Sequence, residues 1–278
     1  VWVSAATHVV GDRRHRITTH RIYECIQGHS GRTAFPEVDA AYWREVEATQ
    51  RWKMFDRLRT VPTVHASPLT VELSPGARCN AWFVTGVAAD QLTVSMIDGT
   101  TTVYSKTLSM ARRNTQSWSD YFFGSFDPVR IALDDGMPMI ATAMIRFEFT
   151  SSTGTVSVGK CMVGRSVSLG STEVGADLDA ENYSQITRSD IDGTVTNLVQ
   201  RRNVPRNAMT VWFDPDDVDI LLSVRESLAA TPAMWSAMGN RRDNPYFSSL
   251  SVFGFYERFR ITADGLTAGR LSLEIKEL

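Results

Sequence analysis

The sequence predicts a mainly β protein, on three observations. Short segments alternate between apolar and polar residues, as in Leu69–Leu73 and 92–97, which is typical of half-buried strands. Asp98-Gly99 separates the second segment from 102–108, which is a hairpin signal. Only one segment, after Asp214, has a clear helical pattern. We therefore expect a small N-terminal β module, an antiparallel β-sandwich of jelly-roll type and a C-terminal α+β domain with one clear helix.

The length of 278 residues predicts two or three domains, at roughly 100–200 residues each. We place them at 1–57, 58–170 and 171–278. The first contains Gly11-Asp12, a strand-like run at 16–26 and a loop at 28–36. Because it is too small to bury much core alone, we expect it to dock on something larger.

The second domain contains a series of short strands with no helix between them. A buried run at 81–84 follows the turn at 74–77. The segments 144–149 and 156–163 are predicted to pair with each other around a turn at 151–154. This spacing predicts an antiparallel sandwich or jelly roll.

The third domain contains the predicted helix. Asp214 is a favourable N-cap, Pro215 suits the first helical position, and Asp216 and Asp217 lie where the helix dipole favours negative charge. Thr231-Pro232 should end the helix. Strands are expected around it at 197–201, 209–213, 251–261 and 270–275.

Composition excludes several classes of function. The net charge of −2 gives no electrostatic case for a nucleic-acid partner. No apolar run approaches the roughly 20 residues that span a bilayer, so no membrane insertion is expected. The first residues lack a secretion-signal profile, so we expect synthesis and folding in the cytoplasm. Cys25, Cys79 and Cys161 lie too far apart for a disulfide framework or zinc site, and are expected to be buried and free.

The sequence predicts no catalytic residue, metal site or cofactor. Asp216-Asp217 is explained by the helix start and Asp134-Asp135-Gly136 by a turn. Asp190-Ile191-Asp192-Gly193 is similar to part of a calcium loop but lacks the downstream glutamate, which favours a turn. His8, His15, His20 and His29 have no metal-pair spacing, so we expect solvated or core histidines that do not converge.

Aromatic residues of the first domain are the best binding candidates. Tyr23, Tyr42 and Trp43 could stack on the apolar faces of sugar rings. The alternative, which we favour for Tyr23 and Trp43, is that they form the small core of the module. Trp52 and Phe55 are expected to cover the joint to the sandwich.

A second aromatic cluster lies in the second domain. It could be an exposed loop tip that binds a ligand or an interface, or a strand that fills the sandwich, and we favour the core. Its members are Trp118, Tyr121, Phe122, Phe123 and Phe126.

The N-terminal motifs resemble a known type of module. Gly11-Asp12, the strand 19–25 with Tyr23-Glu24-Cys25, and Tyr42-Trp43 are similar to the small carbohydrate-binding modules of chitinases. The segment 26–29 departs from that pattern, because those modules usually carry a second exposed aromatic there. In phage tail proteins a similar element often precedes a phrase like that at 49–56, Thr-Gln-Arg-Trp-Lys-Met-Phe-Asp.

The C-terminal third also resembles phage tail proteins, in 183–184, 197–199, 231–235, 250–259 and 273–278. The resemblance implies a structural protein of the virion, in the tail tip, baseplate or fibre region. It implies other tail proteins as partners, a homo-oligomer (a trimer or ring) and a role in host-surface attachment, with a surface glycan as a candidate ligand. The alternatives are a carbohydrate-binding protein without catalytic activity and a tail depolymerase; the long repeats typical of depolymerases do not occur in the sequence.

Overall fold

The computed structural model describes residues 1–56, 61–113, 117–124, 126–188, 192–263, 265 and 268–278. The chain forms two compact units. Unit 1 comprises 1–132 and 136–164, and unit 2 comprises 133–135 and 165–278. The predicted boundary at residue 57 lies outside the described residues, so the three-domain division stays a prediction.

Unit 1 begins with a three-stranded antiparallel sheet in the order β1-β2-β3. Its strands are β1 (Arg13–Arg16), β2 (Arg21–Cys25) and β3 (Trp43–Ala48), and a 3-10 helix (Gln50–Phe55) follows. A small aromatic core covers the sheet, formed by Trp2, Tyr23, Cys25 and Trp43. Met54 of the 3-10 helix, 2% exposed, packs into the neighbouring sandwich core instead. The first module is thereby joined to the sandwich, as its size predicts.

The rest of unit 1 is built from short strands. They are β4 (Thr63–Ala66), β5 (Leu69–Leu73), β6 (Ala81–Thr85), β7 (Gln91–Asp98), β8 (Thr101–Ser109), β9 (Ala111–Arg113), β10 (Phe126–Pro128), β11 (Ile131–Asp134), β12 (Met144–Thr150), β13 (Thr155–Val158) and β14 (Lys160–Gly164), with helix α1 (Trp118–Phe123) between β9 and β10. The last two residues of β11 are counted with unit 2. The main sheets have the orders β5-β12-β7-β8 and β11-β6-β14, and β4 pairs β13 while β9 pairs β10.

The predicted antiparallel sandwich is confirmed. Its two main sheets share one core, in which the rings of Trp82 (β6) and Phe147 (β12) meet at 6.1 Å. The hairpin at Asp98-Gly99 is also confirmed, since β7 and β8 pair directly and Gly99 has a φ of 60°. That positive φ is what glycine tolerates and most residues do not.

One predicted hairpin is wrong. The segments 144–149 and 156–163 do not pair: β12 lies between β5 and β7, β13 pairs with β4, and β14 pairs with β6. The chain changes partners at Gly159, where a Cβ would lie 2.9 Å from the carbonyl oxygen of Thr85. The local pattern indicates where strands end, but not which strand each one meets.

Unit 2 is an α+β unit. Its strands are β15 (Ser171–Thr172), β16 (Asp177–Asn182), β17 (Gln185–Arg188), β18 (Val195–Val199), β19 (Asn203–Phe213), β20 (Ala233–Ser236), β21 (Ser251–Ala263) and β22 (Gly269–Glu277), and its helix is α2 (Val218–Ser227), after a 3-10 turn (Pro215–Asp217). The main sheet has the order β15-β19-β22-β21-β20, with β16 also on β19. β17 and β18 form a separate ribbon.

The predicted helix is confirmed, but α2 begins at Val218, about one turn after the capping residue Asp214. The side chain of Asp214 accepts a hydrogen bond from the backbone N–H of Asp216 at 3.1 Å, and Pro215 follows the cap. Leu221, 1% exposed, anchors α2 on the sheet beside Val211 and Leu271.

Gly254, inside the phrase at 250–259, permits close approach of two strands. A Cβ there would overlap the carbonyl oxygen of Lys276 on β22. The carbonyl of Gly254 also accepts a hydrogen bond from Trp235 Nε1 at 3.1 Å. The glycine in this segment is therefore explained by the close packing of β21 against β22.

Candidate binding surfaces

The three proposed sugar-binding rings do not form an open platform. Tyr23 and Trp43 are 4% and 2% exposed, which agrees with the favoured core interpretation. Tyr42 is half-buried, and the guanidinium carbon of Arg32 lies 3.7 Å from its ring centroid. Asp39 fixes that guanidinium by accepting two hydrogen bonds, at 2.8 and 3.1 Å. Arg32 therefore occupies a face of Tyr42 that a sugar ring would need.

Two histidines converge, contrary to expectation. Backbone hydrogen bonds of 2.9 Å join His8 and His29 in both directions, and their ring centroids lie 5.3 Å apart. The ring centroids of His8 and His29 also lie 4.9 and 5.5 Å from the ring centroid of Trp43, in edge-to-face geometry. Sequence spacing missed this pair because the contact is made by an isolated antiparallel bridge.

The histidine pair extends the aromatic core. The ring nitrogens of His8 and His29 are buried and make no hydrogen bond, although His8 Nδ1 lies 3.6 Å from a carboxylate oxygen of Asp12. Burial, and then the neighbouring His8, lower the pKa of His29 and favour its neutral form. Within the described ranges, no group of three or more His, Cys, Asp or Glu residues could hold a metal ion.

Trp52 and Phe55 have different environments. Phe55 packs against the sandwich core, as predicted for the joint. Trp52 is 43% exposed, and its ring stacks on His20 at 4.2 Å with an interplanar angle of 11°. His20 itself has a φ of 55° in the turn between β1 and β2. The Trp52 indole is therefore exposed to solvent while it is stacked on His20, and the sequence did not predict this arrangement.

The second aromatic cluster is exposed, so the favoured core interpretation was wrong. Trp118, Tyr121, Phe122 and Phe123 are 80%, 52%, 64% and 87% exposed, and α1 has no buried residue. The first three lie at helical i, i+3 and i+4 spacing and contact one another, with centroid distances of 5.1 to 6.5 Å. We call α1 with these four rings the aromatic helix. The side chain of Phe126 lies outside the described part of the chain.

Local hydrogen bonds delimit the aromatic helix. Ser117 Oγ accepts from the backbone N–H of Asp120 at 3.1 Å and caps the first turn. Gly124 ends the helix, and a Cβ there would overlap the carbonyl oxygen of Asp120. The sequence signal that could have identified a short exposed helix rather than a core strand is Ser117 at the N-cap and Gly124 at the C-cap, with four aromatic residues between them.

A second exposed element lies in unit 2. β16 and β19 pair from Asp177–Ala208 to Asn182–Asn203, and the chain between them forms the ribbon β17–β18. Every residue of the two ribbon strands is exposed, including Ile186, Val195 and Leu198 at 52%, 50% and 63%. We call this ribbon the arm. The sequence predicted a strand at 197–201 but not its isolation.

A network of alternating charges covers part of the unit 2 sheet. Glu274 accepts hydrogen bonds from Arg258 at 3.2 Å and Arg206 at 2.6 Å, and these bonds lower its pKa. Lys276 donates to Glu181 and to Tyr183 Oη at 2.5 and 2.7 Å, and Lys276 is the main cause of a lowered pKa at Glu181. These carboxylates are held ionised, which suits structural pairing and not proton donation in a general acid.

The other acidic candidates have structural roles. Asp216 and Asp217 lie at the helix start, as predicted. The turn predicted at 134–136 is not formed, because Asp134 is the buried last residue of β11, and Asp135 accepts a hydrogen bond from Asn240 at 3.2 Å. Asp190 and Ile191 lie outside the described residues, while Asp192 accepts from the backbone and hydroxyl of Thr194, as in a turn.

The three cysteines are buried and free, as predicted. Within the described residues, no helix has the length and apolar character needed to cross a membrane. No protein-family model matches the chain, and no curated protein or solved structure matches it either.

Proposed function

We propose that this chain is a non-enzymatic structural protein of a bacteriophage tail, located at the tail tip or baseplate of the virion. It acts by binding: it holds neighbouring tail proteins, assembles with copies of itself, and contributes to attachment at the host surface. The resemblance of 49–56 and 250–259 to tail proteins supports the class. The aromatic helix is the observation that supports binding as the mode of action.

The aromatic helix has the character of an interface. Trp, Tyr and Phe are enriched in the centres of protein interfaces, where each ring can bury roughly 150–250 Å². Here four such rings point into solvent within six residues, and none of them contributes to a core. A contiguous exposed apolar patch of this kind marks an interaction site.

The non-enzymatic part of the proposal rests mainly on the sequence, and two carboxylates of unit 2 agree with it. Glycosidases need one carboxyl with a raised pKa facing a second one. The lowered pKa values of Glu181 and Glu274, caused by the cations paired with them, make these two carboxylates unsuited to that role, and the proposal for the rest of the chain rests on the sequence, in which no catalytic motif was recognised. Capsule or polysaccharide clearance by the purified chain would contradict this part and indicate a tail depolymerase.

A binding experiment with a matched control tests the proposal. We compare the wild type, a Trp118→Ser/Phe122→Ser double variant and Tyr246→Ser, which removes a ring that is 59% exposed in unit 2. The probes are the purified products of the neighbouring tail genes and intact host cells. We expect at least tenfold weaker binding for the double variant and no change for Tyr246→Ser. A stable monomeric wild type that binds none of these probes would overturn the proposal.

A second candidate function is glycan binding by the first module. The observation that favours it is Trp52, whose exposed indole is held flat against His20. Indole faces of this kind stack on the C–H faces of sugars. A glycan array probed with the full chain and with Trp52→Ala tests it; specific binding that the variant loses supports glycan recognition, whereas no binding by the wild type removes it.

A further inference from the structure

We propose that the contact between His8 and His29 is an acid-sensitive latch within the first module. At neutral pH it holds the segment 3–10 on the module, and it opens when His29 takes up a proton. We call this pair of rings, with the backbone bridge that joins them, the histidine latch. The inference goes beyond the proposed function and does not depend on it, because the ligand of this site is the proton.

The segment 3–10 is held by few backbone contacts between two anchors. One anchor is a hydrogen bond from the N–H of Trp2 to β1, and the other is one from Gly11 to the end of β2, at 2.9 and 2.8 Å. Between them, the described backbone hydrogen bonds to the rest of the module are the two that join His8 and His29 and one that Ala5 donates to residue 32. The histidine contact is an isolated bridge, so no adjoining ladder supports it. The segment can therefore open locally while both anchors stay in place.

The surroundings of His29 suit a neutral imidazole. A neutral ring has one N–H donor, whereas an imidazolium has two donors and a positive charge. Both ring nitrogens of His29 are buried and, among the described residues, neither has a hydrogen-bond partner; the same holds for His8. A buried charge without partners is far more costly than a buried neutral ring. Protonation of His29 therefore favours a state in which its ring reaches water.

The groups around the latch give the His29 cation no free counter-charge. Two carboxylates lie nearby: Asp12 is 3.6 Å from Nδ1 of His8, and Asp39 accepts two hydrogen bonds from Arg32. Burial, and then the positive charges of His8 and Arg32, lower the pKa of His29 against a smaller opposite effect of Asp39. The remaining neighbours are the rings of Tyr42 and Trp43 and, in the same core, the Cys25 thiol, whose pKa is raised by burial.

The direction of the pH effect follows from the lowered pKa of His29. In the open state the ring has the usual pKa of 6.5, and in the closed state its pKa is lower. Between these two values the open state binds more protons, so opening becomes more favourable as the pH falls below 6.5. Above 6.5 both states contain the neutral ring, and the latch stays closed. Uptake of one proton increases the opening constant by at most about tenfold for each pH unit.

Opening changes what the first module presents to solvent. The rings of His8 and His29 lie edge to face with Trp43, which is 2% exposed. Trp43 itself is held in β3, where it pairs with Cys25 of β2. Movement of the segment 3–10 therefore uncovers one side of an indole that stays in place. Below pH 6.5 the module presents an aromatic surface that it covers at neutral pH.

Hydrogen exchange of the full chain, measured by mass spectrometry, tests the latch. We compare pH 7.5 with pH 5.5, after correction for the intrinsic pH dependence of exchange. Peptides that contain the amides of Ala5, His8 and His29 should lose protection by about three- to tenfold at the lower pH, while peptides from β7 and β12 keep theirs. His29→Phe keeps an aromatic ring that cannot be protonated and should abolish this loss. His65→Phe, the same change at an exposed histidine of β4, should behave as the wild type.

An NMR titration of the wild type supplies a measurement that does not depend on how the variant packs. Comparison with the spectrum of His29→Phe assigns the His29 signal among those of the five histidines. We expect a midpoint below 6.5 for His29. A midpoint at or above 6.5, a loss of protection that persists in His29→Phe, or an equal loss in β7 and β12 would overturn the proposal. These measurements need no binding partner, so their outcome leaves the proposed function unaffected.

Discussion

Substitution of Lys160 by methionine tests how firmly the first module is joined to the sandwich in unit 1. Lys160, on β14, is 3% exposed. Its ammonium group donates a hydrogen bond to the backbone carbonyl of Asp56, which follows the 3-10 helix. The carboxylate of Asp56, itself buried, also lies 3.3 Å from Arg21 of β2. The variant Lys160→Met keeps most of the side-chain volume and removes the charge.

The magnitude follows from two opposing terms. Loss of a hydrogen bond that involves a charged group costs about 1.5–3 kcal/mol, and the carbonyl of Asp56 would lose a buried donor. Relief of the desolvation of Lys160 offsets part of this, since burial is the main cause of the lowered pKa of Lys160. We expect a net loss of about 2 kcal/mol, which lowers the melting temperature of a unit of this size by about 4–8 °C.

Thermal and urea unfolding of the full chain measure this effect. Arg44→Met is the control, because the side chain of Arg44 is 66% exposed in its ion pair with Glu24 at 3.1 Å, and its loss should cost under about 1 kcal/mol. The pH dependence gives a second measurement. With its folded pKa below the usual 10.5, Lys160 adds stability as pH rises between those two values, and the variant should lack that rise. A melting temperature at or above that of the wild type would refute the reasoning.

Three further changes test other parts of the structure. Glu274→Gln should reduce the loss of stability at acid pH. Because the pKa of Glu274 is lowered in the folded state, its carboxylate contributes stability above the usual pKa of 4.5, and this contribution is lost as pH falls through the folded-state pKa. Melting temperatures between pH 6 and 3 measure this effect. Leu221→Ala should cost about 3 kcal/mol in urea unfolding, whereas Ile220→Ala, at a residue 49% exposed, should cost under about 1 kcal/mol. Cys161, whose thiol pKa is raised by burial, should resist alkylation at pH 8 until urea is added, as peptide mapping by mass spectrometry would show.

Features determined by neighbouring residues could be predicted from the sequence. The Asp98-Gly99 hairpin depends on a positive φ at one glycine, and the start of α2 depends on Asp214 and Pro215. Both signals lie within a few residues of the structure they specify. The mainly β class follows in the same way from many short alternating segments.

Features determined by distant residues could not be predicted. The separation of β12 from β13 and β14 depends on strands far away in the chain, as does the meeting of His8 and His29. Whether Trp118 is buried or exposed depends on which distant residues pack against it, and the local sequence pattern does not contain that information. The candidate binding surfaces are consequently the part of the molecule that needed the structure.

The aromatic helix and the arm have one physical property in common. Neither contains a buried residue, so hydrogen bonds within each element hold its shape without support from a core. Elements with few buried apolar contacts open locally at low free-energy cost. Substitution of their exposed side chains should therefore change global stability little, while a bound partner would supply the apolar contacts that each element lacks. Under the proposed function, binding and local ordering would be coupled at these two places, and mutation would separate assembly defects from folding defects.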